Sequence, residues 1–262
     1  MSARLDLEMV ERGLAPTRSK AQALILAGVV LVDDQPARKA GDPVGHENVI
    51  SLVEPPRFVS RGGEKLDHAL REFAIDLTGR VCADIGASTG GFTDVMLQLG
   101  AATVFAIDVG YGQIALELRN DPRVIVMDRT NARFLESLPL PVEFTAIDAS
   151  FISLSKLFPA VGRISAPDAS VVALIKPQFE AGKGEVGKNG VVRDRSVHER
   201  VLRDVVFQAS ENSLHLRGLT ASPIKGPAGN IEFLGSFQCG ASASPPIDVE
   251  AAIERALAGA PR

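Results

Sequence analysis

Four ionisable side chains adjoin apolar segments of this chain, where a charge is costly unless it has a partner. Lys176 ends the apolar run Val171–Ile175, and Asp148 ends another such run. Lys65 lies in a helical stretch before the first strand of this region, and Glu232 lies just inside a late strand. Because the carboxyl ends of parallel strands meet at one edge of a sheet, we expect these side chains to share one site. Two lysines and two carboxylates there could hold, orient or accept a proton.

A glycine-rich turn follows the predicted strand Val81–Ile85 and opens a helix. Its sequence is Asp84-Ile-Gly-Ala-Ser-Thr-Gly-Gly-Phe-Thr-Asp94. Glycines put no Cβ in the way, so the backbone can approach a nucleotide closely. The residues expected to bind a cofactor here are Asp84, Gly86, Ala87, Ser88, Thr89, Gly90, Gly91 and Phe92.

Two further carboxylates stand at the ends of the next strands. Asp108 comes 24 positions after Asp84 (108 − 84), the place of a ribose-binding carboxylate in a dinucleotide or S-adenosylmethionine fold. Asp128 could accept a hydrogen bond from an adenine amino group or, equally well, cap a helix over Thr130–Phe134. This spacing fits both a nicotinamide dinucleotide and S-adenosylmethionine.

Short apolar runs alternate with helical patterns through this region, which favours a parallel sheet with helices on both faces. The predicted strands are Val81–Ile85, Thr103–Ile107, Val124–Met127, Phe144–Ile147 and Val171–Ile175. Two later strands, Leu214–Thr220 and Ile231–Phe237, are joined without a helix and predict an antiparallel hairpin at the sheet edge. We therefore predict an α/β fold, Rossmann-like, with a mostly parallel doubly wound sheet and an antiparallel edge hairpin.

The first 60 residues predict a small α+β unit. The pattern gives a helix Arg4–Gly13, a helix through Ala21–Leu26 capped by Thr17 or Ser19, a strand Val29–Val32 and a turn at Asp33–Asp34. The stretch Arg4 to Val53 resembles an S4 domain, and this resemblance implies that Arg18, Ser19 and Lys20 open the helix that such domains press onto structured RNA. Taken singly, Arg12, Arg18 and Lys20 fit an ordinary solvated surface equally well.

Paired prolines in Glu54-Pro55-Pro56-Arg57 forbid a helix and hold the chain extended, so we place the domain boundary there. The predicted organisation is an S4 domain at 1–56, a hinge-like linker at 57–60, a catalytic domain at 61–240 and a tail at 241–262 with a short helix, Asp248–Leu257.

Composition excludes several classes of protein. The 262 residues carry 28 Lys and Arg against 32 Asp and Glu, and the net charge of −4 gives no global attraction for nucleic acid or for a membrane surface. Two cysteines and four dispersed histidines argue against a disulfide framework or a metal site. The absence of a long apolar run and of a signal-peptide pattern leads us to expect a cytoplasmic protein. The sequence carries no signal of oligomeric state.

Long motifs then identify a family. They are Ser60-Arg-Gly-Gly-Glu-Lys-Leu66, the Asp84–Asp94 turn, Asp108-Val-Gly-Tyr-Gly-Gln113, Asn120-Asp-Pro-Arg-Val124, Arg129-Thr-Asn-Ala-Arg133, Asp148-Ala-Ser-Phe-Ile-Ser-Leu154, the stretch 176–192 and Gly226-Pro-Ala-Gly-Asn-Ile-Glu-Phe233. Together they resemble the TlyA family of FtsJ-like methyltransferases with an S4 domain, historically also labelled haemolysins. The resemblance runs from Arg4 to Phe237.

The resemblance implies S-adenosylmethionine-dependent methylation of a cytidine 2′-hydroxyl in small-subunit (16S) ribosomal RNA, large-subunit (23S) ribosomal RNA or both. The family's Lys-Asp-Lys-Glu tetrad corresponds to Lys65, Asp148, Lys176 and Glu232. A free lysine is protonated at neutral pH, but burial, the sulfonium of the cofactor and a second ammonium each disfavour that proton. We expect Lys176 to accept or orient the 2′-hydroxyl proton while the other three residues fix its geometry.

RNA contacts are expected in both domains. The predicted contact residues are Arg4, Arg18, Ser19, Lys20, Arg61, Lys183, Lys188 and Arg193. Between Lys176 and Arg203, seven basic residues against four acidic ones predict a loop and helix that face RNA phosphates. Phe151 could stack on the target base or on the cofactor, or simply fill the core.

Other functions have weaker support. A membrane-active haemolysin lacks a predicted span and a long cationic amphipathic helix. A pseudouridine synthase with an S4 domain leaves the glycine turn without a purpose, and a dehydrogenase leaves Lys65, Lys176 and Glu232 unexplained. An S4 protein that binds RNA without methylating it does not account for an intact tetrad.

Overall fold

The chain forms two compact units, Met1–Arg57 and Phe58–Arg262. The computed structural model describes residues 2–53, 56–182, 184–240 and 247–261, and it describes Lys188 by its backbone alone. The predicted tail linker 241–246 and part of the proline-rich boundary lie outside the described residues. The predicted linker 57–60 is not a free connection, because Phe58 is buried and the Val59 N–H donates to Asp94 of the second unit.

Within its described residues, the first unit has two helices and five short strands. They are β1 (Ala3–Arg4), α1 (Leu5–Glu11), α2 (Arg18–Leu26), β2 (Val30–Val32), β3 (Gln35–Pro36), β4 (Pro43–Val44) and β5 (Ile50–Leu52). Strand β2 lies between β3 and β5, and β1 pairs with β4, all antiparallel. The Thr17 side chain accepts a hydrogen bond from the Lys20 N–H, so Thr17 and not Ser19 caps α2. Asp33 and Asp34 both have positive φ, which suits a two-residue hairpin turn.

The second unit alternates strands with helices. Its strands are β6 (Val81–Ile85), β7 (Thr103–Ile107), β8 (Val124–Met127), β9 (Val142–Ile147), β10 (Ser165–Ile175), β11 (Leu214–Ala221) and β12 (Phe233–Cys239). Its helices are α3 (Gly62–Glu72), α4 (Gly91–Gln98), α5 (Leu116–Arg119), α6 (Phe158–Ile164), α7 (Pro177–Glu180), α8 (Arg195–Ser210) and α9 (Val249–Ala258). None of the described helices is long and apolar enough to cross a membrane.

The seven strands form one sheet in the order β11-β12-β10-β9-β6-β7-β8. Strands β10, β9, β6, β7 and β8 are parallel, and β12 runs antiparallel to both β10 and β11. This confirms the predicted parallel sheet with an antiparallel hairpin at its edge. The chain passes from β6 outward to β8 and returns to β9 on the other side of β6. Such a reversal opens a crevice at the carboxyl ends of the strands.

Alternating side chains of each strand supply two apolar cores. In β10, Val171, Ala173 and Ile175 pack in one core with α6, α8 and α9, whereas Val172 and Leu174 pack in the other with α3 and α4. This period of two, with both faces covered, explains why the strand reads as a continuous apolar run.

Some strands begin and end at the predicted residues, and others do not. The three strands β6, β7 and β8 match their predicted ends. Strand β10 begins six residues earlier than predicted (171 − 165), and its pairing with β9 shifts register between Ser165 and Ser170. Strand β12 begins at Phe233 and not at Ile231, which leaves Glu232 just outside the strand.

Candidate active site

The turn after β6 brings three strand ends together. The Gly86 N–H donates to the Ile107 carbonyl at 2.9 Å, and the Asp148 N–H donates to the Ile85 carbonyl at 2.9 Å. Gly86 has a φ of +88°, and a Cβ at this position would lie 2.6 Å from the main-chain oxygen of Asp148. Only glycine tolerates both conditions. The ends of β6, β7 and β9 therefore converge here.

Lys176 immediately follows β10, and its side chain reaches Asp148 at the point where the ends of β6, β7 and β9 meet. Its Nζ lies 2.6 Å from Asp148 Oδ1 and donates to Ser150 Oγ at 2.9 Å. Lys176 is only 8% exposed, so the ammonium is largely removed from water and depends on these acceptors.

Lys65 and Glu232 form a second ion pair. Lys65 lies in the first turn of α3, and its Nζ is 2.5 Å from Glu232 Oε2. Glu232 is 1% exposed and is wrapped by the hairpin loop, since a Cβ at Gly226 would lie 2.4 Å from its carboxylate. The four predicted catalytic residues thus form two lysine–carboxylate pairs.

Both pairs line an open cleft of about 760 Å³. A smaller cavity of about 390 Å³ lies beside it and contains Asp108, Gln113 and Asn131 in its wall. The residues common to both walls are Gly86, Ser88, Asp148, Ser150 and Phe151. The two spaces are therefore adjacent and share part of their wall.

Asp108 is tied to the glycine-rich turn. Its Oδ2 accepts from the Ser88 N–H at 2.8 Å, and its Oδ1 accepts from the Gly110 N–H at 2.7 Å. A carboxylate has about four lone-pair sites, so two acceptor sites remain for sugar hydroxyls. The cleft wall also contains Ala87, Thr89, Gly91 and Phe92 of the turn.

Asp84 lines neither cavity. It is fully buried, and its Oδ2 accepts from both the N–H and the hydroxyl of Thr93, which fixes the start of α4. Burial raises the pKa of Asp84 to about 7, and the nearby carboxylates of Asp148 and Asp108 add to this shift. Gly90, also outside both cavities, adopts a φ of +96° at the N-terminal cap of α4.

Asp128 forms a salt bridge with Arg119. Its Oδ2 lies 3.0 Å from the Arg119 guanidinium and accepts from the Gly112 N–H at 3.3 Å. It lines neither cavity. The alternative that Asp128 caps a helix is wrong, because Asn131 caps the short 3₁₀ turn Ala132–Phe134.

In the first unit, one buried carboxylate organises the predicted RNA-binding arginines. Asp6 accepts from the Nε and Nη2 of Arg4 at 3.0 Å each, from the Nε of Arg18 at 2.9 Å and from Gln22 at 2.7 Å. These partners hold the pKa of Asp6 well below its usual range. Arg4 and Arg18 are about half exposed, so each guanidinium is fixed on one side and open to solvent on the other.

The other predicted contacts of this unit differ. Ser19 and Lys20 are exposed on the first turn of α2. Arg12, by contrast, donates to the carbonyls of Asn48 and Gly45 and so secures the loop between β4 and β5. For Arg12, the solvated-surface interpretation is wrong.

In the second unit, Arg61 is exposed and lines the cleft, and Arg193 is exposed. Lys183 and the side chain of Lys188 lie outside the described residues. The predicted basic face of α8 is neutralised. Its arginines pair with acidic side chains, namely Arg195 with Glu254, Arg200 with Glu185 and Asp204, and Arg203 with Glu199 and Glu250.

Two residues near the site were given no role from the sequence. Asn230 is buried, accepts from the Val192 N–H and donates to the Gly190 carbonyl, both at 2.9 Å, and so fastens a loop of the cleft wall. Glu180 accepts from the Ser153 hydroxyl at 2.7 Å and from the Leu154 N–H at 2.8 Å, and burial raises its pKa. Both lie within the family motifs, but no spacing rule reveals contacts that join separate loops.

The profile of FtsJ-like methyltransferases matches residues 58–239, and that of the S4 domain matches residues 3–50. A 16S/23S rRNA (cytidine-2′-O)-methyltransferase TlyA of Mycobacterium tuberculosis is 49% identical over 235 residues, which are 88% of each chain. The chain belongs to the TlyA family of FtsJ-like methyltransferases. This membership confirms the predicted enzyme class over a dehydrogenase or a pseudouridine synthase.

Solved structures agree with the TlyA assignment. One from Streptococcus thermophilus, which bears a hemolysin label, is 41% identical and superposes with a TM-score of 0.75, covering 98% of this chain and 94% of that one. A structure from Listeria monocytogenes, assigned to the S-adenosylmethionine dependent methyltransferases, shares the fold with a TM-score of 0.52 and 14% identity, covering 70% of this chain and all of that one. The predicted Rossmann-like fold is thereby confirmed.

Proposed function

We propose that this protein transfers a methyl group from S-adenosylmethionine to the 2′-hydroxyl of a cytidine in 16S ribosomal RNA, 23S ribosomal RNA or both. The observation that carries the proposal is the ion pair between Lys176, a largely buried lysine of the larger cleft, and Asp148, which lies on the wall that the two adjacent cavities share. The TlyA relative named above acts on the same hydroxyl. With this reaction we propose a cytoplasmic enzyme whose partners are ribosomal RNA or ribosomal subunits.

The smaller cavity suits the nucleoside part of the cofactor. Asp108 keeps acceptor sites for ribose hydroxyls, and the Gly86 turn lets the backbone approach closely. Ser88 and Thr89 place main-chain groups beside the larger cleft. When bound, S-adenosylmethionine supplies a methyl group that its sulfonium already activates.

The protein must then activate the acceptor. A ribose hydroxyl is a poor nucleophile until it loses its proton. Lys176 lines the larger cleft, where its Nζ takes or orients that proton, and Asp148 on the shared wall holds the nitrogen in place. General-base assistance of this kind contributes about 10²- to 10⁴-fold.

The second ion pair supports the acceptor side of the cleft. Glu232 neutralises Lys65, so the cleft holds two lysines without two uncompensated charges. Lys65 Nζ offers further N–H donors to the ribose or its phosphate. Arg61, one helical turn before Lys65, adds a cation at the same wall.

Recognition of the RNA is divided between the units. Arg4, Arg18 and Lys20 present cations that bind phosphates, with the S4 unit (1–56) as the docking module. In the catalytic unit, Phe151 is 91% exposed at the cleft and contacts Phe179 with its ring. A ring so exposed can stack on a base that has been flipped out of its RNA helix.

A transfer assay tests the proposal. Purified protein is incubated with isotope-labelled S-adenosylmethionine and with each ribosomal subunit from a strain that lacks the gene, and the label is located by nuclease digestion and mass spectrometry. We expect label on a cytidine ribose of one or both subunits. If neither subunit nor naked RNA is labelled while calorimetry shows that the cofactor binds, the proposed substrate is wrong.

A further inference from the structure

Ser150 gives Lys176 its second acceptor. Among the described residues, Lys176 Nζ donates to Ser150 Oγ at 2.9 Å and pairs with Asp148 Oδ1 at 2.6 Å. Ser150 follows Asp148 by two residues on the loop after β9, and it lies in the walls of both cavities. The serine is therefore placed where cofactor and acceptor meet.

The geometry of an amine nitrogen makes this contact consequential. Besides its bond to Cε, Nζ has three tetrahedral positions. Asp148 and Ser150 accept at two of them, which leaves one position for a group in the cleft. In the neutral amine, both N–H bonds are then engaged by acceptors, and the lone pair occupies the remaining position. If Asp148 were the single acceptor, the amine could rotate about the Cε–Nζ bond. The position toward the cleft would then hold the lone pair part of the time and an N–H the rest of the time.

The loop that carries Ser150 is held firmly enough to impose this direction. Glu180, at the end of α7, accepts from the Ser153 hydroxyl and the Leu154 N–H. Because α7 begins directly after Lys176, the same short segment fixes both the lysine and the serine loop. The ring contact between Phe151 and Phe179, 5.0 Å between centroids, adds a third link.

We infer that Ser150 is a positioning residue of the methyl transfer, whose hydroxyl oxygen fixes the orientation of Lys176 Nζ toward the acceptor 2′-hydroxyl. This inference rests on the proposed function. It differs from the roles of the four predicted catalytic residues, because Ser150 carries no charge and acts through Lys176, whose Nζ it accepts from.

Steady-state methylation by Ser150→Ala, Ser150→Thr and the control Ser155→Ala tests this role. Loss of one hydrogen bond to a charged or reacting amine lowers kcat about tenfold in Ser150→Ala. We expect KM for RNA and the calorimetric Kd of the cofactor to stay within about twofold. Ser150→Thr keeps the hydroxyl and recovers most of kcat. Ser155 lies five residues further along, in the 3₁₀ turn Leu154–Lys156, and its hydroxyl bonds to Ser153 and not to Lys176, so Ser155→Ala keeps wild-type kcat.

A double variant separates positioning from a general effect on the loop. In a Lys176→Ala background, Ser150→Ala has nothing left to orient, so we expect no further loss of rate. A further tenfold loss in that background overturns the inference, as does a Ser150→Ala enzyme with wild-type kcat or a Ser150→Thr enzyme as slow as Ser150→Ala. Absence of RNA methylation by the wild-type protein is a different result, which overturns the proposed function and with it this inference.

Discussion

Carboxylates hold cations in both units of the chain, but the cations are of different kinds. In the S4 unit, Asp6 binds two arginines, Arg4 and Arg18, whose outer edges reach solvent. In the catalytic unit, Asp148 and Glu232 each bind a lysine that is largely buried. An arginine stays protonated and presents a planar fork that suits phosphate, whereas a lysine can lose a proton when desolvated. We therefore propose that the arginines held by Asp6 serve RNA binding and that the lysine held by Asp148 serves the chemistry.

The comparison is tested most strongly at Lys176. We expect Lys176→Ala to lower the rate of methyl transfer by about 10²- to 10⁴-fold while the Kd for RNA changes by less than about threefold. Lys176→Arg keeps the positive charge but cannot serve as a base, so it does not restore the rate. Single-turnover transfer and filter binding measure the two quantities.

The matched control for Lys176 is Lys156→Ala, since Lys156 is an exposed lysine of a 3₁₀ turn in the same unit. It keeps wild-type rate and affinity. A Lys176→Arg enzyme with wild-type rate contradicts the assigned division between lysine and arginine.

The stability of variants at Glu232 and Asp148 tests how strongly each lysine depends on its carboxylate. Glu232→Gln leaves the Lys65 ammonium buried without its counter-charge, and we expect it to lower the free energy of unfolding by about 3 kcal/mol. The same change at Asp148 has a smaller effect, because the Asp148 side chain is 24% exposed and Ser150 still accepts a hydrogen bond from the remaining lysine. Chemical denaturation of both variants measures the difference. Equal stability of Glu232→Gln and the wild type contradicts a buried ion pair at this position.

Asp84 is a buried carboxylate of a different kind from Asp6 and Glu232. Among the described residues, its hydrogen-bond donors are the N–H and the hydroxyl of Thr93, which carry no charge. Its folded pKa is raised from 3.8 to about 7, so the folded state binds a proton that the unfolded state releases between those values. The free energy of unfolding therefore falls as pH rises through this window and levels off above about pH 7. For Asp6 the pH dependence of stability has the opposite sign. Its pKa is lowered from the ordinary value of 3.8, so it stabilises the fold at pH values above 3.8, and this stability is lost only in more acidic solution.

Denaturation of the wild type and Asp84→Asn at a series of pH values isolates this carboxylate. We expect the stability of the wild type relative to the variant to drop by a few kcal/mol between about pH 4 and pH 7. A difference that stays constant over this window shows that Asp84 does not titrate there.

Asp6 provides the most discriminating test of RNA binding. Asp6→Asn removes one negative charge, so a purely electrostatic account predicts tighter binding. If Asp6 acts by orienting Arg4 and Arg18, the affinity for RNA falls instead, by about threefold to tenfold. Salt-dependent filter binding measures it, with thermal unfolding to show that the unit remains folded.

The control is Glu11→Gln, which makes the same charge change at an exposed residue of the same helix, α1. We expect its affinity to rise slightly. If both variants bind RNA more tightly, the orienting role of Asp6 is wrong.

Local sequence signals predicted the framework of the active site. The strands β6, β7 and β8 match their predicted ends, and a glycine or an aspartate directly follows each apolar run, namely Gly86, Asp108 and Asp128. Lys176 and Asp148 were predicted to share a rim because parallel strand ends converge, and the structure brings them within 2.6 Å.

Contacts between segments distant in sequence escaped prediction. Which lysine pairs with which carboxylate depends on β12, which lies antiparallel beside β10 and places Glu232 next to Lys65. Composition alone predicted a basic face on α8, but Glu250 and Glu254 of α9 neutralise it. Periodicity describes each element by itself and carries no information on which elements pack side by side.

One measurement addresses the division of labour directly: single-turnover methyl transfer across a range of RNA concentrations for the wild type, Lys176→Ala and Asp6→Asn. We predict that Lys176→Ala lowers the rate at saturating RNA and leaves the half-saturating concentration unchanged. Asp6→Asn raises the half-saturating concentration and reaches the wild-type rate once RNA saturates. If Asp6→Asn stays as slow as Lys176→Ala at saturating RNA, or if Lys176→Ala loses affinity and not rate, the proposed division of binding and chemistry between these arginines and this lysine is wrong.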